Sequence, residues 1–228
     1  MDNQYSELAG QYNTKPEGYY ELSRPEMLDF VPAACKSILE VGCSSGAFGA
    51  LLKERDPACE VWGIEPDAEA ARKASTRLDR VISKPFSSDV EELKGKRFDA
   101  ICFFDVLEHL VNPEKALRDC RNFLNEDGVI VASIPNILHF YQISEILIQQ
   151  DWRYRDEGIM DNTHLRFFTK KSIVRMFETC GFTVRRIEGI YASFGLKYTI
   201  ANLLTLGRLA DWKYVQFAVQ AELKRDLN

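Results

Sequence analysis

The stretch Ser37-Ile38-Leu39-Glu40-Val41-Gly42-Cys43-Ser44-Ser45-Gly46-Ala47-Phe48-Gly49 reads as a short apolar strand, a glycine-rich turn and the start of a helix. Helical spacing continues through Leu51 and Leu52. A corner of this kind brings backbone close to a ligand, because glycine adds no side chain, and turns the first helical N–H groups toward it. Outward along the chain the alternation repeats. Glu60-Val61-Trp62-Gly63-Ile64 predicts a second strand ending at Glu65-Pro66-Asp67, and 68–78 predicts a surface helix rich in alanine and charge. Arg80-Val81-Ile82 predicts a third strand. The near-continuous apolar run 98–104 predicts a fourth, buried on both faces. Asn112 and Pro113 suit the cap and first turn of a helix running to about 124, stopped by Asp127-Gly128. A fifth strand follows over 129–134, closed by Pro135-Asn136. Strand-then-helix repetition predicts an α/β chain with a parallel sheet covered on both faces.

The ends read differently. Before the first strand, 19–32 predicts a helix with Leu22, Met27, Leu28 and Phe30 as its apolar residues. After the fifth, 139–150 predicts a helix and 151–166 a polar, aromatic loop. Thr169 caps a further helix that ends at Cys180-Gly181. Segments 182–190 and 214–223 alternate like strands around an apolar helix at 196–209.

Composition narrows the function. The 228 residues are 46% hydrophobic and 28% charged, the mix of a soluble globular protein. A net charge of −5, with acids spread along the chain, gives no drive toward phosphate backbones, so no nucleic-acid partner is expected. No apolar run approaches the ~20 residues that span a bilayer, so stable membrane insertion is not expected. The six cysteines form no C-x-x-C pair and read as reduced thiols of a cytoplasmic protein.

The spacing Gly42, Gly46, Gly49 departs from the dinucleotide fingerprint G-x-G-x-x-G. Counted from Gly42, Ser44 stands where the second glycine belongs and Ala47 meets the third position only weakly. No Tyr-x-x-x-Lys occurs, which disfavours short-chain dehydrogenases and related epimerases. A nicotinamide-dependent oxidoreductase therefore stands as a lesser alternative.

In combination, the segments resemble class I S-adenosylmethionine-dependent methyltransferases, among them enzymes of bacterial surface-polysaccharide gene clusters and quinone-type O-methyltransferases. Glu40 to Gly46 is similar to the family's first motif, with Ser44 replacing its middle glycine. Phe104-Asp105-Val106-Leu107-Glu108-His109 with Asn112-Pro113 is similar to the Leu-Glu-His segment after the fourth strand. The resemblance implies a Rossmann-like sheet of seven strands, mostly parallel with an antiparallel last strand, and S-adenosyl-L-methionine as cofactor. It implies cofactor contacts from Glu40, Gly42, Cys43, Ser44 and Gly46 in the first motif. Glu65 and Pro66 follow the second strand, with Glu65 on the ribose hydroxyls, since a carboxylate only accepts hydrogen bonds. Phe86, Ser87 or Asp89 follows the third strand, Asp105 and Val106 the fourth. An N-terminal arginine, here Arg24, is implied as partner of the cofactor carboxylate, for which its planar fork is suited. The expected organisation is one domain over 1–228: an N-terminal helical cap (1–35), a cofactor-binding core (36–136), and an acceptor-binding insertion with closing strands (137–228).

Methyl transfer to a hydroxyl needs in-line positioning and a route for the proton. The three histidines, His109, His139 and His164, all fall at or near the carboxyl edge on this fold. His164, in the dense stretch Asp161 to Thr169, is the first candidate for acceptor contacts or for the base, and His109 the second. No i, i+3 or i+4 histidine pair points to a metal, and no metal ligands are assigned. The insertion resembles polysaccharide-cluster methyltransferases, which implies a small acceptor, a sugar or glycan hydroxyl first and a phenol or quinone precursor next. Trp152, Tyr154, Phe167 and Phe168 are candidates to stack on such rings, or simply core. A catalytically silent cofactor-binding relative is the alternative from the binding class, and the oligomeric state stays open. A lipid-linked acceptor touched by the 196–209 helix is a minority reading.

Overall fold

The structure is a computed structural model that describes residues 23–193 and 195–225. Its strands are β1 (Ser37–Val41), β2 (Glu60–Ile64), β3 (Arg80–Ile82), β4 (Phe98–Phe104), β5 (Leu124–Pro135), β6 (Phe182–Ala192) and β7 (Tyr214–Leu223). They form one sheet in the order β3-β2-β1-β4-β5-β7-β6. The first five pair in parallel, and β7 runs antiparallel between β5 and β6. The α-helices are α1 (Ala47–Arg55), α2 (Ala68–Ala74), α3 (Pro113–Cys120), α4 (Phe140–Ser144), α5 (Lys170–Thr179) and α6 (Leu196–Leu204). This is the expected Rossmann-like α/β fold.

The two-residue period of the strands divides the core into two layers. Leu39, Val41, Ile101 and Phe103 face the layer that holds Leu117 of α3 and Phe177 of α5. Ile38, Ala100 and Cys102 face the other, with Phe48 and Leu52 of α1 and Ala74 of α2. Covering both faces is what permits strands as uniformly apolar as β1 and β4. All six cysteines are buried and free. Burial pushes the thiols up, Cys35 to about 11, so they behave as small hydrophobes.

Local signals that rest on chemistry within one turn survive intact. The Asn112 side chain accepts from the Lys115 N–H at 2.8 Å before Pro113. Thr169 and Ser172 form a reciprocal capping box on α5, and Gly181 takes the left-handed position after it (φ +86°). Element ends fare less well. Of the N-terminal helix expected over 19–32, the described residues show a six-residue 3₁₀ helix, Pro25–Phe30, entered from Arg24 in the left-handed region (φ 51°). Residues 19–22 of that expectation lie outside the described residues. The helix expected to reach 78 ends as α2 at Ala74, and the one expected to reach 209 ends as α6 at Leu204. Leu206 (φ 53°) and Gly207 (φ 80°) turn the chain after α6. The 139–150 helix is α4 followed by a π-helical turn, Glu145–Gln149. β5 starts at Leu124 rather than 129, running through Asp127-Gly128 with a register shift against β4.

Candidate active site

The chain runs outward from β1 through β2 to β3, then returns to place β4 on the other side of β1. Loops leaving β1 and β4 therefore diverge, and the crevice between them at the carboxyl edge is where open α/β sheets bind ligands. A cavity of about 740 Å³ lies there, lined among others by Gly42, Glu65, Phe86, Asp105, His109 and His164.

The turn after β1 is held by its neighbour strand. The Gly42 and Cys43 N–H groups donate to the Ile64 carbonyl at 2.8 and 3.1 Å. Gly42 (φ 71°), Ser44 (φ 51°) and Gly46 (φ 78°) all lie in the left-handed region. Ser44 adopts the conformation that glycine takes freely, and its N–H donates to Glu65 Oε2 at 2.9 Å. The other carboxylate oxygen of Glu65 accepts from the Asp67 N–H at 2.9 Å. Each oxygen keeps further accepting capacity on the cavity side, and burial raises the Glu65 carboxyl above its ordinary value.

Glu40 lies beneath the turn, also on the cavity wall and 4% exposed. Its Oε2 has no hydrogen-bond partner. Burial pushes its carboxyl up to about 8 against a backbone hydrogen bond from Gly49. The folded chain thus holds a proton that the unfolded chain releases. The stability involved is full below about 4.5 and falls as pH rises to about 8, then levels. Glu40→Gln removes that slope: urea midpoints of the cofactor-free protein across this range should vary less with pH than those of wild type.

Arg24, Asp105 and Val106 reach the same cavity. The Arg24 guanidinium is ion-paired with Asp105 and donates to Gln216 Oε1 at 2.9 Å, while Gln216 Nε2 donates to Asp105 Oδ1 at 2.9 Å. Arg24 carries five N–H donors, enough to serve Asp105 and a ligand carboxylate together. Cys43, Ser44 and Pro66 also line the cavity, as does Phe86, whose ring packs edge-on against Phe103 and Phe123. Three expected residues are not on its wall. Ser87 does not line it, and Asp89 is exposed beyond it. Gly46 faces α2: a Cβ there would lie 3.1 Å from Ala74 Cα. Its missing side chain allows close packing of the turn on that helix. Gly49 is similar, its Cβ position being 2.3 Å from Leu78 Cδ2.

Across the cavity the 3₁₀ turn Leu107–His109 meets the insertion. The His109 and His164 rings stand edge-to-face with centroids 4.6 Å apart. His109 Nδ1 lies 3.2 Å from the Thr163 carbonyl and 3.1 Å from Thr163 Oγ1, whose hydroxyl donates to Asp161 Oδ1 at 2.6 Å. His164 Nδ1 lies 3.0 Å from the Ile159 carbonyl. A carbonyl only accepts, so these contacts assign the proton of each neutral ring to Nδ1 and the lone pair to Nε2. Glu108 is 1% exposed, its Oε1 3.9 Å from His164 Nε2, and neither carboxylate oxygen has a hydrogen-bond partner. Burial pushes its carboxyl up to about 8, against the nearby Arg24 charge. One donor atom from each of Glu108, His109 and His164 falls within 4.8 Å of the others, a geometry able to hold a metal ion. Sequence reasoning quoted Glu108 within its segment but gave it no role; the available signal was a carboxylate beside His109 in an apolar turn.

The third histidine does not join them. His139 is buried with Nε2 2.7 Å from Ser193 Oγ, and it lines a neighbouring cavity of about 610 Å³. Of the aromatic candidates, Trp152 and Tyr154 pack on Phe167 (centroids 5.1 and 6.3 Å), Phe168 belongs to the core, and none of the four lines the large cavity.

Comparison with known proteins gives concordant results. A family described as "Methyltransferase domain" matches residues 13–187. The chain is 27% identical over 163 residues to a probable S-adenosylmethionine-dependent methyltransferase of Mycolicibacterium smegmatis, covering 72% of this chain and 58% of that protein's length. It is 24% identical over 210 residues to a ubiquinone biosynthesis O-methyltransferase of Neisseria meningitidis serogroup C, covering 82% of each. Among solved structures, a SAM-dependent methyltransferase from Archaeoglobus fulgidus superposes with a TM-score of 0.63 at 20% identity, over 86% of this chain and 89% of that one. At that identity the likeness speaks for the fold.

Proposed function

The chain belongs to the methyltransferase-domain family, as a class I S-adenosylmethionine-dependent methyltransferase, and from that premise we propose that it methylates a hydroxyl of a small acceptor. The observation that carries this reading is one cavity lined by two chemically distinct groups of residues. Gly42 and Glu65 come from the turns after β1 and β2; Glu108 and His109 come from the turn after β4 and His164 from the insertion, and all line the same cavity. The residues suit the cofactor. Gly42 clears the floor, Glu65 offers carboxylate oxygens to a vicinal diol, and the volume lies in the roughly 300–1,000 Å³ range of small-molecule sites. When bound, S-adenosylmethionine supplies an electrophilic methyl group on a sulfonium.

The protein's own part is to orient the two reactants in line, exclude water, and help the hydroxyl lose its proton. His164 and His109 engage the acceptor oxygen on this reading, with Glu108 behind them. The core 36–136 holds the cofactor, and the acceptor enters beside the insertion that supplies His164 from 137–228. A sugar or glycan hydroxyl, in cytoplasmic polysaccharide biosynthesis, is the first acceptor class. A phenolic quinone precursor is the second, favoured by the Neisseria relative's named activity.

Calorimetric titration with S-adenosylmethionine and S-adenosylhomocysteine tests the cofactor half. Glu65→Ala leaves ribose hydroxyls unpaired and should weaken binding by roughly 1–3 kcal/mol; wild-type affinity in that variant would show that the ribose lies elsewhere. Transfer of labelled methyl to a panel of sugars and phenols tests the acceptor half.

A further inference from the structure

We infer that the second cavity, of about 610 Å³, holds the body of the acceptor and takes a neutral polyhydroxylated ring, a sugar rather than a phenol. The inference deepens the proposed function and rests on it: the reacting hydroxyl lies in the large cavity and the rest of the same molecule next to it. The two cavities share Glu157, Gly158, Ile159 and Val215 as wall residues. The first three belong to one tight loop. The Arg155 N–H donates to the Met160 carbonyl at 2.8 Å, and the Asn162 N–H returns to the Arg155 carbonyl at 2.8 Å. The loop is thus pinned at its base, and its tip borders both spaces.

Buried polar side chains form another part of the wall. Gln142 of α4 and Glu145 of the π-helical turn lie three residues apart, on one helical face. Both line the second cavity, at 5% and 8% exposure. A π-helical turn is rare and occurs frequently at functional sites. Glu145 Oε1 and Oε2 accept from Arg155 Nη2 at 2.8 and 2.7 Å. The Gln142 amide donates to Glu145 Oε2 at a long 3.5 Å. Polar groups held out of bulk water cost free energy unless their hydrogen-bonding capacity is filled. That capacity is large here. Gln142 brings a carbonyl oxygen and a second amide hydrogen, and Arg155 brings five N–H donors, of which Nη2 serves Glu145.

Charge on this wall is balanced. Glu145 and Glu157 stand against Arg153 and Arg155, so neither an anion nor a cation gains by entering. A neutral molecule with alternating donors and acceptors does gain. A vicinal diol matches the Glu145–Arg155 pair, one hydroxyl donating to the carboxylate while the next accepts from the guanidinium. Tyr141, also on the wall, offers an apolar ring face to the C–H side of a pyranose. A flat phenol would leave the polar capacity of Gln142 and Glu145 unmet. His139 is not one of the contacts, since its Nε2 is held by Ser193 Oγ at 2.7 Å.

The test is ligand binding by the full chain saturated with S-adenosylhomocysteine, followed by saturation-transfer NMR. The probes are the methyl glycosides of glucose, galactose, mannose and rhamnose, with catechol as the phenol. At least one glycoside is expected to bind. Its affinity should fall about tenfold or more in both Gln142→Met and Glu145→Gln, which keep the side-chain size, while S-adenosylhomocysteine binds as in wild type. In the wild type, the side-chain amide signals of buried Gln142 should shift with that glycoside and not with catechol, a readout that needs no variant to fold. Binding of no glycoside, glycoside binding indifferent to both substitutions, or catechol binding that depends on both overturns the site. Labelled methyl transfer is run separately on the same probes. Glycoside binding at these residues with no methyl transferred to any probe leaves the sugar site standing and removes the function proposed above. Methyl transfer to catechol with KM unchanged in both variants removes this inference alone.

Discussion

Gly42→Val should lose measurable binding of both S-adenosylmethionine and S-adenosylhomocysteine, at least about 100-fold in affinity, or ~3 kcal/mol. Two effects act together. Gly42 sits at φ 71°, a region that costs an L-residue roughly 1–2 kcal/mol and a β-branched one more. Its added Cβ would lie 2.5 Å from Val106 Cγ2, so either the turn after β1 or the turn after β4 must move, and both line the cavity. Gly95→Val separates the two effects. Gly95 has the same φ of 71° with nothing within 4 Å of its Cβ position, so that variant should lose stability yet bind cofactor like wild type. Normal calorimetric binding by folded Gly42→Val would mean that the cofactor does not lie against this turn. Gly46→Val, by contrast, should act through stability, since its side chain would press on Ala74 of α2.

Replacing His164 by alanine should lower turnover by about 10²–10⁴-fold, the usual span for a group that helps move a proton in the transition state, while cofactor affinity stays at the wild-type value. The reason is position: His164 lies with Glu108 and His109, residues that come from the insertion and from the turn after β4 rather than from the turns after β1 and β2 that carry Gly42 and Glu65. Glu108→Gln keeps the shape but removes the ionisable carboxyl, and should produce a loss of similar order. The double variant should cost less than the sum of the two free energies, because side chains in one cluster act as a unit. His139→Ala is the control, its imidazole being held by Ser193 outside the large cavity. The readout is single-turnover methyl transfer with any acceptor that the panel yields. Equal rates for His164→Ala and wild type would take the cluster out of the reaction.

Neither experiment depends on where helices end, and there the sequence was least informative. The extent of β5, the stop of α6 after Leu204 and the 3₁₀ rather than α form of Pro25–Phe30 follow from competition between local preference and packing. Propensity alone does not resolve that competition.

What the sequence by itself determined is local in origin. The apolar runs of β1 and β4, the glycine-rich turn, the carboxylate closing β2 and the caps at Asn112 and Thr169 each act within a few residues. Together they specified a parallel sheet and the edge that binds. Tertiary structure alone decided which glycines face the cavity: Gly42 does so because Val106 comes over it, and Gly46 does not because α2 lies against it. It also decided which histidines meet. Glu108 and His109 leave β4, while His164 comes from an insertion beyond β5. Contacts across 54 residues follow from strand order and crossover, which no spacing within either segment encodes.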